Sequence, residues 1–129
     1  MTATLCACGS GKNYAQCCGP YHAGRPAPDA EHLMRSRYSA YVLNLEDYLL
    51  ATWHGSTRPS PGTLHLQSGT KWLGLQVLKA EAATGNRARV EFIAKYKEGG
   101  FPAQRLHERS EFIFEDGRWY YHCGEFPTP

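Results

Sequence analysis

The chain has 129 residues, of which 42% are hydrophobic and 12% aromatic. This length and composition are typical of one globular domain with a small appendage, able to bury about two-thirds of its unfolded surface. A formal net charge of +2 argues against bulk electrostatic capture of nucleic acid. Because no apolar run could cross a bilayer and no secretory signal is recognisable, we expect a cytoplasmic protein with no membrane partner.

Four cysteines cluster near the start of the chain in the pattern C-x-C-x8-C-C: Cys6, Cys8, Cys17 and Cys18. Disulfide geometry disfavours a bond within either close pair, although cross pairs remain possible. In a reducing compartment such clusters are typical of metal binding. We therefore predict one structural Zn²⁺ held by all four thiolates, with a disulfide or free thiols as the alternative. His22 could replace one of the four ligands, or hold a ligand in place from outside the metal shell. Four thiolates already complete that shell, so we expect neither to be needed.

The first half of the chain is predicted to be helical beyond this cysteine segment. Residues 1–22 form a small zinc knuckle, and residues 23–28 form a linker stiffened by two prolines. Asp29 is a predicted N-cap, and Asn44 can end the helix that follows. Apolar side chains recur along that helix with helical spacing: Met34, Tyr38, Tyr41, Val42 and Leu45. A shorter helix is predicted over 46–53, a loop over 55–63 and a short turn around 64–69.

The second half of the chain reads as four strands, over roughly 71–83, 87–98, 104–115 and 118–123. Hairpin turns are predicted between them, at 84–86, 98–100 and 115–117. In the second strand one face is apolar and the other is charged, with the apolar face formed by Val90, Phe92, Ala94 and Tyr96. Helices followed by an antiparallel meander predict an α+β fold, in which helices pack on one face of a curved four-stranded sheet.

Glu108 is the anomaly in the third strand, because period-two alternation puts it on an apolar face: Leu106, Ser110, Phe112 and Phe114. A buried carboxylate is costly unless it is paired, and Arg35 or Arg37 on the first long helix could pair with it. The simpler interpretation is a structural ion pair, or a solvated Glu108 where the strand twists. In a cavity, Glu108 would instead be a candidate catalytic acid or base.

Aromatic residues bracket the loop expected near the mouth of such a cavity. Trp53, His54 and Trp72 could line a ligand site, although the tryptophans could also simply close the core and leave His54 at the surface. In the last strand we expect two residues to point inward, Trp119 and Tyr121. The candidate ligand-pocket residues are therefore Arg37, Trp53, Trp72, Glu108 and Ser110.

Cys123 lies too far along the chain to be needed by the cysteine cluster, and we expect a small buried residue at the end of the last strand. Its neighbour His122 should face the opposite side of that strand. A Cys–His catalytic dyad is therefore discounted.

The cysteine pattern, with Gly9-Ser10-Gly11-Lys12 inside it, resembles the SEC-C motif, the zinc module at the C-terminus of the SecA translocase. There the fourth ligand is usually His, where this chain has Cys18. The segments that follow resemble the YchJ-like family of small bacterial proteins: Leu33-Met34-Arg35-Ser36-Arg37-Tyr38, Thr52-Trp53, Glu108-Arg109-Ser110 and Gly117-Arg118-Trp119-Tyr120-Tyr121.

This resemblance covers nearly the whole chain and implies two parts. A SEC-C motif would occupy residues 1–24, and a domain similar to nuclear transport factor two would occupy residues 29–129. Such a domain is a cone whose sheet wraps around a long helix and can leave a cavity. The SecA module binds the chaperone SecB and the ribosome, so the resemblance implies a protein or ribosomal partner for the knuckle.

Three functions are compatible with these features. The main expectation is a non-enzymatic interaction module that contacts a protein or ribosomal partner through the knuckle. The alternative is a protein that binds a small molecule in the cavity, or a proton-transfer enzyme of the isomerase or dehydratase type with Glu108 as its base. Nucleic-acid binding is a third, weakened by the near-neutral charge, through a local patch of four cations: Lys12, Arg25, Arg35 and Arg37.

Overall fold

The computed structural model describes residues 5–61 and 70–126. Three helices precede four strands: α1 Cys18–His22, α2 Ala30–Leu43, α3 Glu46–Ala51, β1 Thr70–Ala80, β2 Arg87–Glu98, β3 Gln104–Glu115 and β4 Arg118–Glu125. The strands form one antiparallel sheet in chain order, so the predicted α+β fold is confirmed. Within the described ranges, no helix combines the length and apolarity that crossing a membrane requires. The turn predicted around 64–69 lies outside the described residues.

Helix α2 is the central element, and its ends are where the sequence predicts them. The Asp29 side chain accepts a hydrogen bond from the backbone N–H of His32 at 2.8 Å, and Asn44 ends the helix in the left-handed conformation, with φ at 59°. Burial extends beyond the predicted apolar face: Leu33, Met34, Ser36, Arg37, Tyr38, Ser39 and Ala40 are all buried. The reason is that α1, α3 and the sheet all pack against α2.

Helix α3 ends at Ala51, two residues earlier than predicted, because the chain then pairs with β4. The Tyr121 N–H donates to the carbonyl of Thr52 at 2.8 Å, and the His54 N–H donates to the carbonyl of Tyr121 at 2.7 Å. Trp53, between these two bonds, forms a parallel bridge to Tyr121. This pairing fixes the position of the Trp53 side chain relative to the sheet.

The concave face of the sheet packs on α2 through a set of buried side chains: Val90, Phe92, Ala94, Phe112 and Trp119. The expectation that Phe114 is buried in the core with Phe112 is wrong, because its side chain is 41% exposed. Near the end of β3 it extends past the core and rests on the Trp119 ring, with the ring centroids 5.3 Å apart. Strand β1 ends at Ala80, three residues before its predicted end.

A β-bulge interrupts the pairing of β3 with β4. Glu111 pairs with Cys123 and Phe112 pairs with Tyr121, so His122 is the extra residue. Alternation is broken there, and His122 and Cys123 both lie opposite Glu111. The expectation that these two neighbours face opposite sides is therefore wrong. Cys123 is also exposed rather than buried.

Candidate metal centre and ligand cavity

The four N-terminal cysteines come together in the fold: Cys6, Cys8, Cys17 and Cys18. Their sulfurs lie within 4.8 Å of one another, with 3.6 Å between Cys8 and Cys17 and 4.0 Å between Cys17 and Cys18. A tetrahedral shell with zinc–sulfur distances of about 2.3 Å has edges of about 3.8 Å. All five cysteines of the chain are free thiols. The cluster is therefore compatible with metal binding, and its chemistry suits a soft or borderline ion.

Glycines and a short helix place these sulfurs. Gly9 and Gly11 both have φ near +80°, at 81° and 82°, which lets the chain reverse between the two cysteine pairs. The Cys6 N–H donates to the carbonyl of Lys12 at 2.8 Å and closes this loop. A 3₁₀ turn over Tyr14–Gln16 then leads through Cys17 into α1.

The thiols influence one another strongly. A hydrogen bond from Cys18 lowers the pKa of Cys8 to about 4, although burial acts in the opposite direction. The same bond, together with burial, raises the pKa of Cys18. The cluster thus shares protons when only thiols are present. A divalent cation would replace these shared protons, since metal binding to cysteine releases protons.

The cysteine segment is part of the main core rather than a separate appendage. Cys6, Cys8 and Cys18 are at most 5% exposed and belong to one cluster with α2 side chains, namely Leu33, Met34 and Tyr38. Arg35 donates from Nη1 to the carbonyl of Cys8 at 3.0 Å and ties the segment to α2. The cysteine cluster and the domain beside it therefore share their packing.

His22 makes a second connection to α2 and does not join the sulfur cluster. Its Nδ1 lies 2.6 Å from the Tyr14 hydroxyl, and its Nε2 lies 2.8 Å from the carbonyl of Ser36. A carbonyl only accepts, so Nε2 carries the proton and Nδ1 accepts from Tyr14. Burial lowers the pKa of His22, which favours this neutral form. His22 therefore positions the cysteine segment from outside.

A cavity of about 230 Å³ lies between α2 and the concave face of the sheet. All five predicted pocket residues line it: Arg37, Trp53, Trp72, Glu108 and Ser110. Most of the remaining wall is aromatic or aliphatic and includes Tyr38, Tyr41, Phe92, Leu106, Phe112 and Tyr121. His54 lies elsewhere, beside Ser56 and Glu115. That a ligand binds in this cavity stays a prediction.

Glu108 is buried, with 8% of its surface exposed, and two hydroxyl groups satisfy it. Its Oε2 accepts from the Ser110 hydroxyl at 2.6 Å and from the Tyr121 hydroxyl at 3.0 Å. In the described part of the chain, no ion pair joins Glu108 to Arg35 or Arg37, so the expected salt bridge is replaced by these hydroxyls. Burial beside Glu108 raises the pKa of Tyr121, which therefore remains a donor.

Arg37 is the second buried charge of the cavity and is 5% exposed. Its Nη1 donates to the carbonyl of Leu49 at 2.8 Å and to the Thr52 hydroxyl at 2.7 Å. The guanidinium carbon lies 5.1 Å from the ring centroid of Trp53 and 4.7 Å from that of Tyr121. Burial lowers the pKa of Arg37, although the nearby tyrosines and Glu108 favour its charged form.

The two arginines of α2 thus have different roles from those expected. Arg35 binds the Glu31 carboxylate at 3.1 Å and the Cys8 carbonyl, so it holds the cysteine segment against α2 and does not reach the cavity. Because Arg37 is buried, it cannot contribute to the surface patch considered for nucleic acid together with Lys12 and Arg25.

Two residues of the site carry no clear signal in the sequence. Tyr121 is expected to point inward, but nothing in the pattern connects its hydroxyl with Glu108. Gly124 lies opposite Ser110, and a Cβ at that position would overlap the Glu108 carboxylate. The β4 bulge brings Gly124 onto the cavity face, and bulges are not visible in alternation.

Comparisons with known proteins agree with this architecture. The family model described as YchJ, middle NTF2-like domain, matches residues 29–124, and the SEC-C motif matches residues 4–20. A UPF0225 protein of Xanthomonas campestris is 56% identical over 116 residues, which cover 90% of each chain. A UPF0225 protein of Polaromonas is 54% identical over 129 residues, covering 93% of this chain and 91% of the relative.

Two solved structures are similar as well. The solution structure of a SEC-C motif containing protein from Rhodopseudomonas palustris has a TM-score of 0.85 at 42% identity, covering 95% of this chain and 98% of that one. The crystal structure of a SEC-C motif containing protein from Psychrobacter arcticus has a TM-score of 0.81 at 29% identity, with coverages of 96% and 83%. The chain therefore belongs to the YchJ-like family of UPF0225 proteins, in which a SEC-C motif precedes an NTF2-like domain.

Proposed function

We propose that this protein is a zinc-stabilised binding protein whose cavity takes a small organic molecule. The observation that carries the proposal is the pair of buried charges, Arg37 and Glu108, in one cavity with otherwise largely apolar walls. Burying two charges in one cavity is costly even with the hydrogen bonds that each of them makes. Sites for small molecules combine apolar walls with a few convergent polar groups in this way.

The cavity defines the class of ligand. Its volume of about 230 Å³ is below the roughly 300–1,000 Å³ of sites for drug-sized molecules, so a peptide or nucleotide would not fit. Glu108 offers an acceptor and Arg37 offers donors, while rings surround both. A compact aromatic molecule with an amide or carboxylic acid end would offer a donor to Glu108 and an acceptor to Arg37 at once.

The zinc ion in this proposal is structural. Four thiolates close a tetrahedral shell and leave no position for water or substrate. Three of these cysteines lie in the core beside α2, which forms one wall of the cavity. The metal would therefore support the cavity without taking part in any reaction there.

The three tryptophans of the chain provide the test. Trp53 and Trp72 line the cavity, whereas Trp119 lies outside it and serves as an internal control. On titration with a panel of small aromatic amides and acids that starts with benzamide, the indole NMR signals of Trp53 and Trp72 should shift and that of Trp119 should not. Equal shifts at all three, or none with any panel member, would overturn the proposal.

The same cavity could support proton transfer, because Ser110 and Tyr121 orient a carboxylate at its wall. Glu108→Gln separates the two functions. If the cavity only binds, the native protein should leave a ligand found by the titration chemically unchanged, and Glu108→Gln, which keeps an acceptor oxygen at this position, should alter only its affinity. Turnover of that ligand by the native protein, lost in the Gln variant with binding retained, would establish an enzyme instead.

A partner for the knuckle is the second candidate function, supported by one observation. Leu5, at the start of the cysteine segment, is 66% exposed and forms a bridge with Asn13, which follows the exposed Lys12. Because the cysteines are in the core, deleting the segment would also damage the domain, and a surface change is the better test. Leu5→Ser should reduce co-sedimentation with purified bacterial ribosomes. Phe101→Ser, at a residue 67% exposed in the β2–β3 turn, should not. Equal sedimentation of all three proteins would exclude this candidate.

A further inference from the structure

The outer face of the sheet carries a second group of metal-ligating side chains: Glu111, His122 and Cys123. Because of the β4 bulge, His122 has no paired residue on β3, and both it and Cys123 lie opposite Glu111. One ligand atom from each of the three lies within 4.8 Å of the others. In β3, Glu111 lies between Ser110 and Phe112, whose side chains line the cavity. Alternation therefore puts Glu111, and the two residues that meet it, on the face away from the cavity.

Two of the three spacings among these atoms match those of a tetrahedral metal shell. His122 Nδ1 lies 3.3 Å from Glu111 Oε1 and 3.5 Å from Cys123 Sγ. With metal–nitrogen and metal–oxygen distances of about 2.0–2.1 Å and a metal–sulfur distance of about 2.3 Å, the edges of a tetrahedron are about 3.3 and 3.6 Å. The side chains therefore need little rearrangement to meet one ion.

We propose that Glu111, His122 and Cys123 form a second metal site, for a borderline divalent ion such as Zn²⁺. One thiolate, one imidazole and one carboxylate are ligands that such ions accept together, whereas Mg²⁺ and Ca²⁺ prefer oxygen alone. Three protein ligands leave the fourth position to water. Cys123 is exposed, so an ion reaches the site directly from solvent.

The charges around the site are compatible with a bound cation. A divalent ion bound by one thiolate and one carboxylate has no net charge. The positive side chains nearby therefore do not repel the occupied site. Arg87 binds Glu111 through the oxygen that faces His122, and Arg89 lies 4.0 Å from the other oxygen. Since a carboxylate oxygen has two lone pairs, Glu111 can bind Arg87 and the metal together. The two arginines hold the carboxylate in place.

The site is independent of the N-terminal cysteines. Those cysteines are buried against α2, whereas this group lies on the solvent side of β3 and β4. The same outer face offers a matched control. His107 lies 2.6 Å from Glu91, which gives a histidine–carboxylate contact with no cysteine beside it.

Metal stoichiometry tests the proposal. Full-length protein, saturated with Zn²⁺ and freed of excess by gel filtration, should hold one equivalent more than the variants Cys123→Ser and His122→Ala. His107→Ala should hold as much as the native protein. If the native protein holds no more zinc than Cys123→Ser, or if His107→Ala loses the same equivalent, the second site does not exist.

Cobalt gives an independent readout, because a thiolate bound to Co²⁺ has a charge-transfer absorption in the near ultraviolet. Protein first loaded with one equivalent of Zn²⁺ should develop this absorption when Co²⁺ is added, and Cys123→Ser should not. Glu111→Gln should weaken Co²⁺ binding by about 10-fold or more, since even the loss of a residue that only supports a metal ligand typically lowers metal affinity about 10- to 100-fold. Identical spectra of the native and Cys123→Ser proteins would refute the assignment.

Discussion

Replacing Arg37 by methionine tests whether the buried guanidinium is supported by its surroundings. The change removes the hydrogen bonds to Leu49 and Thr52 and the contacts with the Trp53 and Tyr121 rings. Methionine fills a similar volume with an apolar, flexible side chain. The variant therefore removes the charge and its contacts with little loss of packing.

The magnitude follows from these contacts. Two hydrogen bonds from a charged donor contribute about 1.5–3 kcal/mol each. Two ring contacts add about 0.5–2 kcal/mol each. The desolvation of Arg37, several kcal/mol for a buried ion, acts in the opposite direction. Because Glu108 is left in the cavity without a nearby positive charge, we expect Arg37→Met to lower the free energy of unfolding by about 2–4 kcal/mol.

Urea unfolding followed by tryptophan fluorescence measures this free energy. Arg105→Met, at an exposed position near the start of β3, is the control and should change the free energy of unfolding by less than about 0.5 kcal/mol. The double variant with Glu108→Gln should be less destabilised than the sum of the two single variants, since the remaining charge is also removed. If Arg37→Met is as stable as the native protein, the surroundings of Arg37 do not offset its burial and the reasoning fails.

Three further outcomes are expected. Tyr121→Phe should lower the free energy of unfolding by about 1.5–3 kcal/mol, because it removes a hydrogen bond to a buried carboxylate. Tyr120→Phe, outside the cavity, should leave the free energy of unfolding nearly unchanged. Equal effects of the two changes would contradict this role of the Tyr121 hydroxyl. Gly124→Ala should displace the Glu108 carboxylate, visible as a shifted side-chain carboxyl signal in NMR, and an unshifted signal would contradict the overlap. The hydrogen bond from His107 lowers the pKa of Glu91, so its stabilisation is present above the usual carboxyl value of 4.5 and is lost as the pH falls below it. The acid sensitivity of thermal unfolding should decrease in His107→Ala, and an identical pH profile would refute this origin.

Local periodicity is enough to predict the elements that carry the cavity. Alternation in β3 puts Glu108 and Ser110 on the same face as Phe112, and all three are buried. Helical spacing together with the capping residues Asp29 and Asn44 defines α2. These features are recoverable because each depends on residues two to four positions apart.

The partners of the charged residues depend on contacts that no local pattern contains. Arg35 and Arg37 are equally plausible partners for Glu108 by sequence, but a helix turns their side chains about 200° apart. Arg37 then meets α3 and Arg35 meets the cysteine segment. The bulge at His122 is likewise invisible to alternation, which explains the errors about the orientation and burial of Cys123.

The burial of Cys8 and Cys18 against α2 also bears on the time course of folding. Both precede α2 and all four strands along the chain, so the thiols emerge from the ribosome before the side chains that later cover them. At about 5–20 residues per second, synthesis of the rest takes roughly 5–20 s. During that interval an ion can reach the open thiols, and afterwards the completed core hinders its escape. Metal bound in this way would be retained by a slow exchange rate as well as by affinity.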